Sequence, residues 1–214
     1  MSNELPPKLC PKIILEGTRL THKTETAFRL NEHPGIVGPK KYKYHSPIIS
    51  AEWCSFTNFP WGRGMINFEP AEAELAMETY STWVHLFELQ KYYSWIIDRF
   101  HISTMVYQTA QGRNYDFTWL EDRLLRLGFG IVLLTRKPES FEEARSQRVK
   151  VSGKPDQYDN LKILVEDQMR FRKLVAKSLL PHCEIDISDG NIDRVSDEIA
   201  EWLREKRLLG YYEK

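Results

Sequence analysis

Ile13-Ile14-Leu15-Glu16-Gly17-Thr18-Arg19-Leu20-Thr21-His22-Lys23-Thr24 is the stretch on which the fold turns. It opens with a short, wholly apolar run, and an unalternated run of that kind suits a strand buried on both faces of a parallel sheet. After Thr24 the pattern becomes helical, with Ala27, Phe28 and Leu30 on one face until His33-Pro34-Gly35 breaks it. Between strand and helix, Gly17–Thr24 keeps the phosphate-loop spacing GxxxxGK[ST] at its first glycine, its lysine and its threonine. In that setting Gly17, Thr18, Arg19, Leu20, Thr21 and His22 offer backbone N–H groups to phosphates. Lys23 neutralises the terminal phosphates and Thr24 ligates Mg²⁺.

His22 departs from the spacing, which asks for a second glycine. Glycine adopts positive φ without strain, and histidine does so less readily. Two readings of His22 stay open: a tolerated substitution, or an imidazole that gives an N–H to phosphate. The plainer alternative for the whole stretch is a strand-to-helix turn whose Lys23 and Thr24 merely occupy the first helical turn.

Outward from this loop, apolar strands and amphipathic helices alternate. Strands are expected at Pro47–Ala51, Tyr93–Ile97, Gly130–Thr135 and Cys183–Ile187. Helices are expected at Glu69–Gln90, Thr118–Leu127, Asp156–Leu180 and Ile192–Arg207. This order predicts an α/β fold, a mostly parallel sheet flanked by helices on both faces, whose ligands bind beyond the carboxyl ends of the strands. Residues 1–11 are Pro-rich and irregular in expectation, and 12–214 read as one domain.

The bulk numbers permit this and narrow the rest. Of 214 residues, 42% are hydrophobic and 28% charged, with 30 basic and 30 acidic side chains. No net field draws the chain onto nucleic acid or membrane. The longest apolar run, Ile131–Leu134, is far short of the ~20 residues of a membrane span. The polar, Pro-rich start does not read as a secretion signal. Three scattered cysteines form no CxxC pair, so neither a zinc site nor a disulfide framework is expected, and a cytoplasmic setting fits.

Asp98-Arg99 leaves the Tyr93–Ile97 run where a second phosphoryl group could be clamped, and arginine supplies a planar fork for it. A structural ion pair is the plainer reading. Together, Ile14-Leu15-Glu16-Gly17 with His22-Lys23-Thr24, Asp98-Arg99 with Ser103, Gly130–Thr135 with Arg145 and Arg148, and Glu184–Ser188 before Ile192–Trp202 carry a resemblance. In these four features the chain resembles the thymidylate kinase and deoxynucleoside kinase group of P-loop kinases. The resemblance covers most of the chain and is weak over Gly35–Gln90.

The resemblance implies a P-loop NTPase fold and a kinase, with ATP and Mg²⁺ as cofactors and a nucleoside or nucleoside monophosphate as acceptor. By position, Lys23 and Thr24 hold triphosphate and metal, Asp98 supports the metal or its waters, and Arg99 binds acceptor-side phosphate. A lid spans 138–155, and its Arg145 and Arg148, three residues apart on one helical face, stabilise spreading charge. Solvated surface arginines explain that spacing equally well. Glu52 is the expected base for the acceptor hydroxyl, with an ordinary paired glutamate as its plainer reading.

Gly38-Pro39-Lys40-Lys41-Tyr42-Lys43-Tyr44-His45 interleaves cations with aromatics and keeps open a modified base or an end in DNA as acceptor. A solvated basic loop is the plainer reading there. A non-catalytic nucleotide-binding relative is the third alternative and rests on His22. A homodimer is left open.

Overall fold

The computed structural model describes residues 8–37 and 46–210. Five strands, β1 (Lys12–Glu16), β2 (Ile48–Ser50), β3 (Trp95–Asp98), β4 (Phe129–Thr135) and β5 (His182–Asp186), pair in parallel in the order β2-β3-β1-β4-β5. The central strand is therefore β1, with Ile14 in register with Ile97 of β3 and Ile131 of β4. The loop that follows β1 opens at the middle of the sheet's carboxyl edge, where α/β sheets bind ligands.

The helices are α1 (Lys23–Leu30), α2 (Pro34–Val37), α3 (Ala73–Leu89), α4 (His101–Ala110), α5 (Thr118–Arg126), α6 (Phe141–Arg148), α7 (Leu161–Val175) and α8 (Ile192–Glu205). Both faces of the sheet are covered, which is why the β1 run does not alternate. Ile14 joins Tyr80, Phe87, Leu120, Leu124 and Phe171 on the face under α3, α5 and α7. Ile13 and Leu15 join Ala27, Leu30, Val195 and Ile199 on the face under α1 and α8. Each such Ile or Leu contributes about 1.5–3 kcal/mol on leaving water. Among the described residues no helix is long and apolar enough to cross a membrane.

Two expectations are corrected. The single helix expected over Asp156–Leu180 is a short turn, Pro155–Tyr158, followed by α7. Asn160 breaks the two apart, because its side chain accepts from Ile163 N at 3.3 Å and so starts a new helix. The helix α4 was not expected at all. Its β-branched residues Ile102, Thr104 and Val106 have little helical preference of their own. It forms because a buried carboxylate from β1 satisfies its first N–H groups, as the site shows.

Candidate functional site

The loop from Gly17 to His22 keeps its shape through three left-handed residues. Gly17 has φ +143°, and a Cβ there would lie 2.4 Å from the Leu134 carbonyl oxygen on β4, so only glycine passes. Leu20 has φ +67° and His22 φ +51°. His22 thus takes the backbone conformation that glycine adopts freely, at roughly 1–2 kcal/mol of strain. Its Nδ1 faces Glu25 Oε2 at 3.9 Å. Burial, opposed by Glu25, pulls the imidazole below its ordinary pKa.

His22→Gly is therefore expected to keep nucleotide affinity or improve it. A tenfold loss, about 1.4 kcal/mol, measured by titration with MgATP, would instead give the imidazole a phosphate contact.

Inside the loop, Lys23 is buried and its Nζ donates to Thr18 O at 2.5 Å and Thr21 Oγ1 at 3.2 Å. Burial first, then the like charge of Arg99, lower its pKa to about 7. Thr24, in the first turn of α1, donates its hydroxyl to Asp98 Oδ2 at 2.5 Å. The other oxygen, Asp98 Oδ1, is buried without a hydrogen-bond partner. A hydroxyl beside a carboxylate with a spare buried oxygen fits a hard cation such as Mg²⁺, which prefers oxygen ligands.

Glu16, at the end of β1, fixes the next segment. Its Oε1 accepts from Phe100 N at 2.9 Å and Ser103 N at 3.2 Å, and its Oε2 from Ser103 Oγ at 2.5 Å. These bonds cap α4; directly before them Arg99 takes φ +64°, its N–H donating to Leu15 O at 2.9 Å and its carbonyl accepting from Ala51 N at 3.2 Å. Arg99 donates from Nη1 to Gly17 O at 2.8 Å and Ser103 Oγ at 3.2 Å, and from Nε to Glu52 Oε2 at 2.9 Å. Arg99 beside Glu52 holds that carboxyl below its ordinary range, with Lys23 and Arg19 acting the same way and burial opposing.

The two lid arginines separate. Arg148 reaches the cleft and pairs with Glu25 at 2.9 Å. Arg145 turns away: its Nε donates to Tyr158 O at 3.0 Å and its Nη2 to Asp159 Oδ1 at 2.9 Å. It is not among the residues lining the cleft. The expected lid, 138–155, contains α6, whose Phe141 and Ala144 pack with Leu20, Tyr158 and Leu164.

One cation escaped the sequence reading. Arg136, directly after β4, donates from Nε to Leu20 O at 2.6 Å, and Gln168 brackets its backbone at 2.8 and 2.7 Å. The signal was available, since it leaves a buried strand at the same edge as Asp98-Arg99.

Thr18–Glu25, Glu52, Asp98, Arg99, Ser103, Arg148 and Gln157 line one cleft of about 900 Å³, while Glu16 and Arg136 are not among its lining residues. At its mouth stand three exposed aromatics, Trp53 (54% exposed), Phe59 (75%) and Trp61 (61%). By contrast Phe68 and Tyr80 from the same aromatic-rich region are fully buried. The basic stretch Gly38–His45 lies outside the described residues.

No family model matches the chain, and no curated protein matches it in sequence. Its backbone is nevertheless similar to solved ones. The YorR protein from Bacillus subtilis, in complex with phosphorylated GDP, superposes with a TM-score of 0.61 at 18% identity, over 92% of this chain and 97% of that one. Thymidylate kinase from Candida albicans gives 0.50 at 19% identity, over 94% and 93%. A gluconokinase from Sinorhizobium meliloti 1021 gives 0.50 at 11% identity, over 92% and 94%. This chain has the P-loop kinase fold. The P-loop kinase fold explains why the phosphate loop, the Asp98-Arg99 strand end and α6 share one edge of the sheet. At these identities the likeness is one of backbone.

Proposed function

We propose that the protein is an ATP-dependent phosphotransferase that moves the γ-phosphoryl group to a nucleoside or nucleoside monophosphate. The observation that carries this reading is the gathering of Lys23, the Thr24–Asp98 pair and the Arg99–Glu52 pair in one cleft from separate segments. Phosphoryl transfer needs positioning and charge neutralisation more than covalent chemistry. The loop N–H groups and Lys23 take the terminal phosphates of ATP. Thr24 and Asp98 are the residues that would hold Mg²⁺ or its waters, and the ion, when bound, supplies charge neutralisation there. Arg99 orients the acceptor, and Arg148 leaves Glu25 for the transferring group.

The test is phosphorylation with MgATP across nucleosides, their monophosphates and oligonucleotides, beside a Lys23→Ala control. Turnover of a small acceptor that vanishes in the control supports the proposal. Turnover of oligonucleotides alone moves the acceptor to DNA, and no thermal shift with MgATP removes the kinase reading altogether.

A further inference from the structure

Glu25 stands between the phosphate loop and the lid and meets a side chain from each. It lies in the first turn of α1, directly after Lys23 and Thr24. Its Oε1 accepts from Arg148 Nη1, at the end of α6, at 2.9 Å. Its Oε2 faces His22 Nδ1 in the phosphate loop at 3.9 Å. All three residues line the cleft.

The lid rests on the phosphate loop around this contact. Leu20 packs with Phe141, Ala144 and Tyr158, and Arg19 donates from Nε to Gln157 Oε1 at 3.1 Å. Arg145 does not stand in for Arg148, since Tyr158 O and Asp159 hold it away from the cleft.

A lid cation and an imidazole from the loop, gathered on one set of oxygens, are what a bound phosphate would gather. The first turn of a helix favours negative charge through its free N–H groups and its dipole, and a carboxylate meets the same forces there as a phosphate. The residue that breaks the loop spacing, His22, faces this same carboxylate. A phosphate brought to Arg148 also comes up against Glu25, and like charges a few ångströms apart repel. The two anions therefore compete for one guanidinium.

We propose that Glu25 is an internal stand-in for the transferring phosphoryl group: it latches the lid arginine to the phosphate loop until triphosphate displaces it. The inference rests on the phosphotransfer reading above and adds a residue that sets the affinity for the phosphate donor. Glu25 is a positioning residue that acts through Arg148. The step exchanges ion-pair partners and makes or breaks no covalent bond. The latch is weak enough to yield, because the Glu25 and Arg148 side chains are 39% and 45% exposed and such pairs shift an equilibrium only a few-fold. Its removal strengthens nucleotide binding, the opposite of what deleting a supporting residue does.

The experiment is titration calorimetry with MgATP and with MgADP on the full chain as wild type, Glu25→Gln, Arg148→Gln and the double variant. Glu25→Gln is expected to tighten MgATP binding about fivefold, the scale of a half-exposed ion pair. Its effect on MgADP should stay below about twofold, because ADP lacks the group that takes Arg148 from Glu25. In the Arg148→Gln background the same substitution should change the Kd for MgATP by less than about twofold, since no latch is left to release.

Unchanged or weaker MgATP binding in Glu25→Gln overturns the proposal. Equal tightening in both backgrounds does so too, because bulk repulsion then explains it with no part for Arg148, and so does equal tightening of MgATP and MgADP. Each of these results leaves the kinase reading standing. A wild type that binds no MgATP removes that reading itself and the proposal with it. Should the double variant not fold, as its melting curve will show, the sign of the Glu25→Gln effect and the difference between MgATP and MgADP decide.

Discussion

Lys23→Met is expected to lower kcat by about a thousandfold or more, on the order of 4 kcal/mol of transition-state stabilisation, and to raise the melting temperature of the ligand-free protein. The two effects have one cause. Lys23 is buried among Arg99, Asp98, Glu52 and Glu16, and its pKa falls from an ordinary 10.5 to about 7. Below pH 7 the folded state holds a desolvated ammonium, a penalty on the order of 3–5 kcal/mol relative to the unfolded chain. Between pH 7 and 10.5 the unfolded chain binds a proton that the folded chain does not, so this group makes stability rise with pH across that window.

The methionine variant lacks the penalty. Its thermal advantage should be largest below pH 7 and shrink toward pH 10.5. Melting curves at pH 6 and 9 measure it, and a variant that melts below the wild type at pH 6 would refute the account. The same shift gives a binding signature. Triphosphate draws the proton back onto Lys23, so MgATP binding near pH 8.5 should take up most of one proton. Titration calorimetry in buffers of different ionisation enthalpy reads that uptake.

The parts of the site legible in the sequence are those in which chemistry and local pattern coincide. The run Ile13–Leu15 needed two covered faces, and it has them. Asp98-Arg99 at a strand end was visible because a charged pair does not follow a buried run by accident of composition. What stayed hidden depends on partners distant in sequence. Helix α4 owes its start to Glu16, more than eighty positions earlier, so neither its own propensities nor its hydrophobic period announces it.

The lid arginines show the same limit. Three-residue spacing places Arg145 and Arg148 near each other on α6, yet Tyr158 and Asp159 take one and Glu25 the other. Arg19 read as one of several loop positions, and only the fold brings it to Gln157 and the Arg99–Glu52 pair. His22 is the converse case. The sequence marks it as an error in the loop, and the backbone shows the left-handed turn intact around it.

Glu16→Ala is expected to destabilise the protein by about 3–5 kcal/mol and to disable the acceptor side of the cleft. Glu16 is fully buried, and three donors converge on its two oxygens. Alanine leaves the N–H groups of Phe100 and Ser103 in a site that water does not reach, each at about 1–3 kcal/mol. It also removes a negative charge from the N-terminus of α4, which that end of the helix favours. Glu16→Gln keeps the volume but turns an amide N–H₂ toward the donors, so about half of the loss should remain.

The functional effect follows through Ser103. Its hydroxyl donates to Glu16 and receives Arg99 Nη1, so Glu16 holds in place one of the three acceptors of the Arg99 guanidinium. With Ser103 released, the Arg99 guanidinium keeps Gly17 O and Glu52 but loses its third contact, and its hold on an acceptor is expected to loosen. Chemical denaturation should show the stability loss, and steady-state kinetics on Glu16→Gln should show a raised acceptor KM with little change in the Kd for MgATP. Equal losses on both substrates would mean that Glu16 supports the phosphate loop as a whole and that Arg99 needs no separate support.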